Sequence, residues 1–364
     1  MMPRSRSYSP VSALPVLAAL VLCLFLPPRA CAITATLSET SPPASRILTV
    51  DPRDPAAIPT LKQAAALVQP GDTLVLASGS GPYRESLYIN RSGTAAAPIT
   101  IEGNGNEITG FDLLSFTQLP DGRHQSVVPV PYPFVLRHAG KKRIREDAAT
   151  RQFSGGIQYD SATRILILPP DVSSDDWEVS ARNHVVRIQD VSHHRYRNIV
   201  ATGSRNDGFN LHGTGKDLHF ENITGSYNLD EGFSAHDDIH SSIAGGYFFE
   251  NDNGIYNIGR SHTRIHNVDI SQNLGIGFGL ADGTVEASRL RVWGSGMVQL
   301  KLEGSARLSG LGITVYRNPR TTRQWLSYKE SAQRLRPLTL DTTKSRNPGI
   351  PGLITPDADS PETP

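Results

Sequence analysis

Several things are scarce in this chain of 364 residues, and each shortage narrows what it is. There are two cysteines, Cys23 and Cys31, and both fall within the first 32 residues. Everything after them is free of disulfides, so a folded body must be held by core burial alone, and the remaining length is ample for that. Charge of one sign is also lacking: 36 Lys and Arg stand against 35 Asp and Glu. Setting aside Arg4, Arg6 and Arg29 moves the formal charge from +1 to −2, without the basic domain or stripe of a nucleic-acid binder. Long apolar runs are absent after residue 26. The one early run, Ala13 to Leu26, is too short for a bilayer core of roughly 30 Å.

What is present begins with an export pattern. A basic start, that apolar run, and the small–x–small Ala30-Cys31-Ala32 read as a signal segment over 1–32, cleaved near Ala32. Pro27, Pro28 and Arg29 speak against the rival reading, a lipid anchor on Cys31. The expected product is exported, periplasmic or secreted, monomeric and without a membrane span.

The remaining chain divides by texture. Residues 33–45 are a flexible leader rich in Ser, Thr and Pro. Residues 46–112 hold short strand patterns and one amphipathic helix, about Thr60 to Val68, with Leu61, Ala64, Ala65 and Val68 on one face. Residues 113–182 differ, with prolines at 129, 131 and 133 and a hairpin pattern pairing Ile157–Tyr159 with Ile165–Leu168. An antiparallel insertion is expected there. Residues 183–319 repeat; 320–336 are expected to cap the end with a short helix, and 337–364 to be a disordered tail.

The repeat is the most informative feature. Asparagine recurs at Asn206, Asn228, Asn251 and Asn273, followed by Ser295 and Asn318, in steps of 22 or 23 residues. A second series runs through Asn198, Asn222 and Asn267. A Gly–apolar pair opens each unit: Gly208-Phe209, Gly232-Phe233, Gly254-Ile255, Gly277-Phe278. The short alternations inside each unit have the period of strands. Asn suits sharp corners because it tolerates left-handed backbone and bonds neighbouring peptide groups. Leucine-rich repeats need more Leu, and propeller blades need about 40 residues. A parallel β-helix remains, with coils stacked about 4.8 Å apart.

The stretch Gln69-Pro-Gly-Asp-Thr-Leu-Val-Leu-Ala77, then Tyr83 and Ser92-Gly-Thr-Ala-Ala-Ala-Pro-Ile-Thr-Ile101, resembles the opening coils of β-helix polysaccharide lyases, above all the alginate lyase and chondroitinase B family. The resemblance covers about 46–110 and 184–318. It implies an all-β, right-handed parallel β-helix of the pectate lyase-like kind, with an N-terminal capping helix and the antiparallel insertion. Its activity is open, since lyases, epimerases, hydrolases and non-enzymes share the fold.

Nine of the eleven histidines lie between 184 and 266. Aligning units on the Gly–apolar step puts Asp207, Glu231 and Asn253 at one position, and Asn206, Asp230 and Asp252 just before it. His212 and His236 fall three residues beyond each Phe on successive coils, and Lys301 is read as their equivalent on the last full coil. Uronate chemistry needs a cation against the sugar carboxylate, a base for the C5 proton, and an acid. His236 is the expected base or acid and His212 its partner. Arg260 or Lys216 would neutralise the carboxylate, Asp237 would orient the histidines, and Asp238, His240, His262 and Lys301 would contact substrate. Gly232-Phe233-Ser234-Ala235-His236-Asp237 resembles the Gly-Phe-Asp-Pro-His-Asp motif of periplasmic alginate C5-epimerases, departing at Ser234 and Ala235. That resemblance implies His236 as the base.

The expected function is therefore an exported polysaccharide-active protein, a lyase or C5-epimerase on a uronic-acid polymer. The alternatives are a hydrolase using paired carboxylates from Asp207, Asp230, Glu231, Asp237 or Asp238, and a non-catalytic carbohydrate-binding or envelope protein. Asp207, Asp230 and Glu231 offer oxygen ligands for Ca²⁺ or else cap turns, and His212, His236 and Asp238 are a Zn²⁺ alternative. His193, His194, His219 and His266 are read as solvated strand or turn residues. Of two glycosylation patterns, at Asn90 and Asn222, the second falls inside a coil.

Overall fold

Strand-period alternation and left-handed corners together wind the chain into stacked rungs. A computed structural model of the chain describes residues 45–140, 142–144, 146–147, 152–153, 155–317, 323–325, 333–335, 338–347 and 349–356. The expected signal segment, the leader up to residue 44, and Asn318 lie outside the described residues. The body is a right-handed parallel β-helix built on a twelve-stranded and an eight-stranded sheet. In the eight-stranded sheet Phe209, Phe233, Ile255, Phe278 and Leu300 stand in register on successive rungs, and all are buried. The alternate residues on these strands face outward. In the core, Phe220 stacks on Tyr196 at 5.1 Å and meets Phe233 edge-on, also at 5.1 Å.

Three columns of corner residues hold the rungs. One is a buried ladder: Asn228 Nδ2 donates to Asn251 Oδ1 at 2.9 Å, and Asn251 Nδ2 to Asn273 Oδ1 at 3.1 Å. The glycines that open each unit make room for it. A Cβ on Gly208, Gly232 or Gly254 would lie 2.6–2.8 Å from the amide nitrogen of Asn228, Asn251 or Asn273. The ladder's upper member is Ser204, whose N–H donates to Asn228 Oδ1 at 2.9 Å, and not Asn206 as the spacing suggests. The rungs there are offset by 24 residues, with Thr202 opposite Ser226, and the next pair of long strands carries a bulge between Gly215 and Leu218. A fixed 22-residue step therefore selects the wrong position.

The second column is Asn198, Asn222, Gly245, Asn267, Arg289 and Gly312, all at positive φ. The third is Asp190, Gly213, Asp237, Gly259, Asp282 and Gly304, also at positive φ. Aspartate and glycine alternate along it, and at Gly213 and Gly304 the carboxylate of the preceding rung fills the space a Cβ would need. A Cβ on Gly213 would lie 2.0 Å from Asp190 Oδ1, and one on Gly304 would lie 2.1 Å from Asp282 Oδ1.

The N-terminal helix spans Leu61–Leu67, with Thr60 as its N-cap and Leu61 and Ala64 buried. The insertion forms antiparallel sheets around its own core, which includes Phe134, Leu166 and Trp177. Its hairpin pairs Gln158–Asp160 with Ile165–Leu168, one residue later than the pattern suggests. Arg137 ties the insertion to the coils, bonding Glu178 at 2.5 Å and Glu107 at 2.8 Å. Val135 packs with Leu229 and Leu274, beside the corner that leads to Asp230.

One C-terminal expectation is corrected. Of the stretch expected to cap the end, Arg323–Trp325 pairs antiparallel with Gln333–Leu335, and residues 326–332, where the short helix was expected, lie outside the described residues. The expected disordered tail instead adds a rung. Leu338–Ser345 joins the eight-stranded sheet and Leu353–Ile354 the twelve-stranded one, with Leu340 and Leu353 packed on the core. Leu340, Ile350 and Leu353, partly buried against the core, supply the apolar contacts of a segment whose composition reads as loose. His194, read as solvated, is fully buried; it bonds Tyr196 Oη at 2.9 Å and the Arg91 carbonyl at 2.7 Å, and burial pushes its pKa down to about 4.

Candidate functional site

The outward positions of the eight-stranded sheet form three columns along the rod. The first holds His184, Asp207, Glu231 and Asn253; the second Arg187, Asn210, Ser234, Tyr256, Gly279 and Lys301; the third Gln189, His212, His236, Ile258, Ala281 and Glu303. Lys301 therefore stands one column from where the sequence reading put it. Leu300, not an earlier residue, is the counterpart of Phe233, so the position equivalent to His236 is Glu303.

His212 and His236 stack with ring centroids 4.1 Å apart and planes 19° from parallel. Burial, and then the neighbouring His212, lower the pKa of His236. It is thus held in the neutral form that accepts a proton. Asp237 follows His236 at the corner. Its Oδ2 accepts the Gly213 N–H at 2.8 Å and lies 3.5 Å from His212 Nδ1.

Asp207 is buried at 1% exposure, and its carboxylate is well served. Oδ2 accepts Asn210 Nδ2 and Ser234 Oγ, each at 2.6 Å, and Oδ1 accepts the Glu231 N–H at 3.3 Å. Donor oxygens of Asp207, Asp230 and Glu231 lie within 4.8 Å of one another. Burial, then the charges of Asp207 and Asp230, push the Glu231 carboxyl well above the ordinary carboxylate range, while Asn253 Nδ2 donates to Glu231 Oε1 at 2.9 Å. The face thus carries, five residues apart along the chain, an imidazole whose pKa is lowered and a carboxyl whose pKa is raised. This is the split in proton affinity that acid–base chemistry uses. Oxygen donors alone converge in this trio, which suits a hard cation such as Ca²⁺.

Further down the face, Tyr256 Oη donates to Glu303 Oε2 at 2.6 Å, and Lys301 Nζ lies 3.2 Å from the same carboxylate oxygen. The Tyr256 ring lies over Gly279, where a Cβ would come within 1.9 Å of Cδ2. The sequence reading missed Tyr256, Glu303, Arg187 and His184. Register alone finds them, because each is an outward residue in a column already occupied by a chosen one. The buried His184 Nδ1 has no hydrogen-bond partner among the described residues.

The other expected residues lie across the Asp–Gly corner, on or beside the twelve-stranded sheet. Lys216, His240 and His262 line a separate hollow of about 460 Å³. The His240 and His262 rings are 5.7 Å apart. Asp238 stands at the corner, 3.8 Å from Arg260 Nε and 3.9 Å from His240 Nε2. Its partners lie on that side, so the expected zinc set of His212, His236 and Asp238 is not among the converging donor groups of the described residues.

No protein-family model matches the chain. No curated protein matches it in sequence. Solved structures do. One described as a glycoside hydrolase superposes with a TM-score of 0.52 at 10% identity, covering 85% of this chain and 96% of that one. XylC in complex with xylose gives 0.50 at 10% identity, covering 74% and 69%. Pectate lyase Pel9A gives 0.45 at 16% identity, covering 83% and 78%. The likeness is one of fold. Among the described residues no helix is long and apolar enough to cross a membrane.

Proposed function

We propose that this chain is an exported polysaccharide-active enzyme, a lyase or C5-epimerase that takes a uronic-acid polymer along the outer face of the eight-stranded sheet. The observation carrying this reading is the stack of His236, held toward its neutral form, on His212, on the face that also carries the Glu231 carboxyl with its raised pKa. Similarity in fold to a glycoside hydrolase and to a xylose-bound XylC is consistent with a carbohydrate partner. In the proposed reaction His236 takes the C5 proton of a uronate whose carboxylate is matched by a cation on the same face, Arg187 or Lys301. Those two replace Arg260 and Lys216, which stand beyond the corner. The electrons of the broken C5–H bond form a C4–C5 double bond as the glycosidic oxygen leaves with a proton from Glu231 or His212. If a proton instead returns to the opposite face of C5, the outcome is epimerisation.

Asp207 orients the site through Asn210 and Ser234, and Asp237 holds His212. Ca²⁺ at Asp207, Asp230 and Glu231 is part of the proposal as an alternative occupancy; with it bound Glu231 would hold no proton, and His212 would be the acid. The test is a panel of polyuronates assayed for the ultraviolet absorbance of unsaturated product and for C5 proton exchange. Absence of both across the panel would end this reading.

A second reading has one specific observation in its favour. Asp207 and Glu231 are two carboxyl groups with oxygens no more than 4.8 Å apart, the acid of raised pKa next to the other, and a pair of carboxyl groups is what glycosidases use. New reducing ends without a new double bond would select it.

A further inference from the structure

The twelve-stranded sheet also carries a surface that the proposed chemistry does not use. The hollow lined by Lys216, His240 and His262 runs into a second one, of about 600 Å³, that continues down the same face to Leu311. The two share Ser242 and Arg264, so they form one trough crossing successive rungs. The acids of its lining are already engaged. Asp217 accepts His193 at 2.9 Å and His219 at 2.5 Å, and Glu286 lies 3.3 Å from Arg264. Donors remain: Lys216, the imidazole of His262, that of His240 at 3.9 Å from Asp238, and, bordering the lining, Arg289, which bonds His266 at 3.1 Å. At the lower end the floor is apolar, with Ala244, Ala287 and the 79%-exposed Leu311.

We infer that this trough is a second binding site, for an extended acidic polysaccharide running along the rod. Carboxylates and hydroxyls of the sugar meet the donors at one end, and the apolar C–H faces of the rings meet the floor at the other. The rung rise of about 4.8 Å is close to the length of one pyranose unit, so each sugar meets the same kind of position on the next rung. The site shares the polymer class of the proposed function but does not depend on turnover at His212 and His236. It would hold the chain while the opposite side of the corner acts on it.

The test is affinity electrophoresis in gels containing polygalacturonate or alginate, with dextran as the neutral comparison, at low salt where exposed charges act over about 10 Å or more. Three variants of the full chain are compared. H212Q/H236Q removes the imidazole pair, R264E/R289E reverses one charge of the trough lining and one at its border, and K62E/R123E makes the same change in net charge elsewhere. The expected result is retardation by an acidic polymer and not by dextran, kept in H212Q/H236Q and K62E/R123E and weakened at least tenfold in R264E/R289E. Wild-type retardation of R264E/R289E, loss of retardation in H212Q/H236Q, or no retardation by either acidic polymer would each overturn the inference. R264Q, which only removes a charge from an exposed pair, serves if the double reversal does not fold.

Discussion

Glu231→Gln is the most revealing single change, because stability and activity should move in opposite directions. Gln reproduces the shape of a protonated Glu: its Oε1 still accepts Asn253 Nδ2, and its Nε2 donates where the carboxyl proton faces Asp207. What disappears is the option of a third negative charge among donor atoms no more than 4.8 Å apart. At that distance, with an effective dielectric near 20, each like-charge pair opposes ionisation by about 3.5 kcal/mol. The sign follows from linkage. A carboxyl whose folded pKa lies above its unfolded value contributes nothing adverse below pH about 4, where both states are protonated. As pH rises through the unfolded and then the folded value, stability is lost. E231Q has no such loss. It should match the wild type near pH 4 and be the more stable of the two at pH 8, measured by urea unfolding without divalent cations.

Added Ca²⁺ should raise the wild-type midpoint at pH 8, with proton release, and leave E231Q unmoved. Turnover on a polyuronate should nevertheless fall at least a hundredfold in E231Q, the trade of activity for stability expected at a strained site. A variant less stable than the wild type at pH 8 would refute the crowded-carboxylate argument. A more stable variant with full turnover would remove Glu231 from the reaction.

Other changes test separate steps. His236→Gln should reduce turnover at least a hundredfold with a thermal midpoint close to wild type, and the acid limb of the wild-type pH–rate profile should lie below the ordinary imidazole value of about 6.5. Gly279→Ala should raise KM by displacing the Tyr256 ring and breaking its bond to Glu303, which intrinsic fluorescence and oligosaccharide kinetics will report. Asn251→Ala removes the buried acceptor of the Asn228 backbone N–H and side-chain amide and the donor to the Gly225 carbonyl and Asn273 Oδ1, and should cost about 4 kcal/mol. Asn222→Ala, at an exposed corner with one bond to Asn198, should cost about 1 kcal/mol; equal costs in unfolding experiments would contradict the ladder.

The repeat made the fold legible because a rung imposes the same demands on every unit: an inward apolar residue, a close-approach glycine, a corner that accepts positive φ. Those demands recur in sequence, and the Gly–apolar step gave the register of Asp207, Glu231 and Asn253 correctly. Counting residues worked less well. The longer rungs and the bulge between Gly215 and Leu218 displaced Asn206 from the ladder, and Lys301 was placed a column away from Glu303. Proximity in sequence also misled across the corner. Lys216, His240 and His262 follow the histidine pair by a few residues, yet the turn at Gly213, Asp237 and Gly259 carries them to another sheet. Glu231 was visible only as a ligand candidate and as one of several possible hydrolase carboxylates, since its burial among two other carboxylates depends on rungs 24 residues apart.

The same corner bears on how much weight the His-Asp motif can carry. Aspartate precedes or follows glycine at every rung of that column whatever stands before it: Gln189-Asp190, His212-Gly213, His236-Asp237, Ile258-Gly259, Ala281-Asp282, Glu303-Gly304. Asp237 is therefore accounted for by backbone geometry before any chemistry is invoked. Only the histidines in the adjoining column need a functional reason. Asp237→Asn should keep the left-handed corner and the bond to the Gly213 N–H, with stability within about 1 kcal/mol of wild type. Turnover should fall less than tenfold, because the side chain acts only by holding His212 at 3.5 Å. A hundredfold loss in D237N with unchanged unfolding would mean that the charge itself takes part, and that the corner was recruited into the reaction rather than merely bordering it.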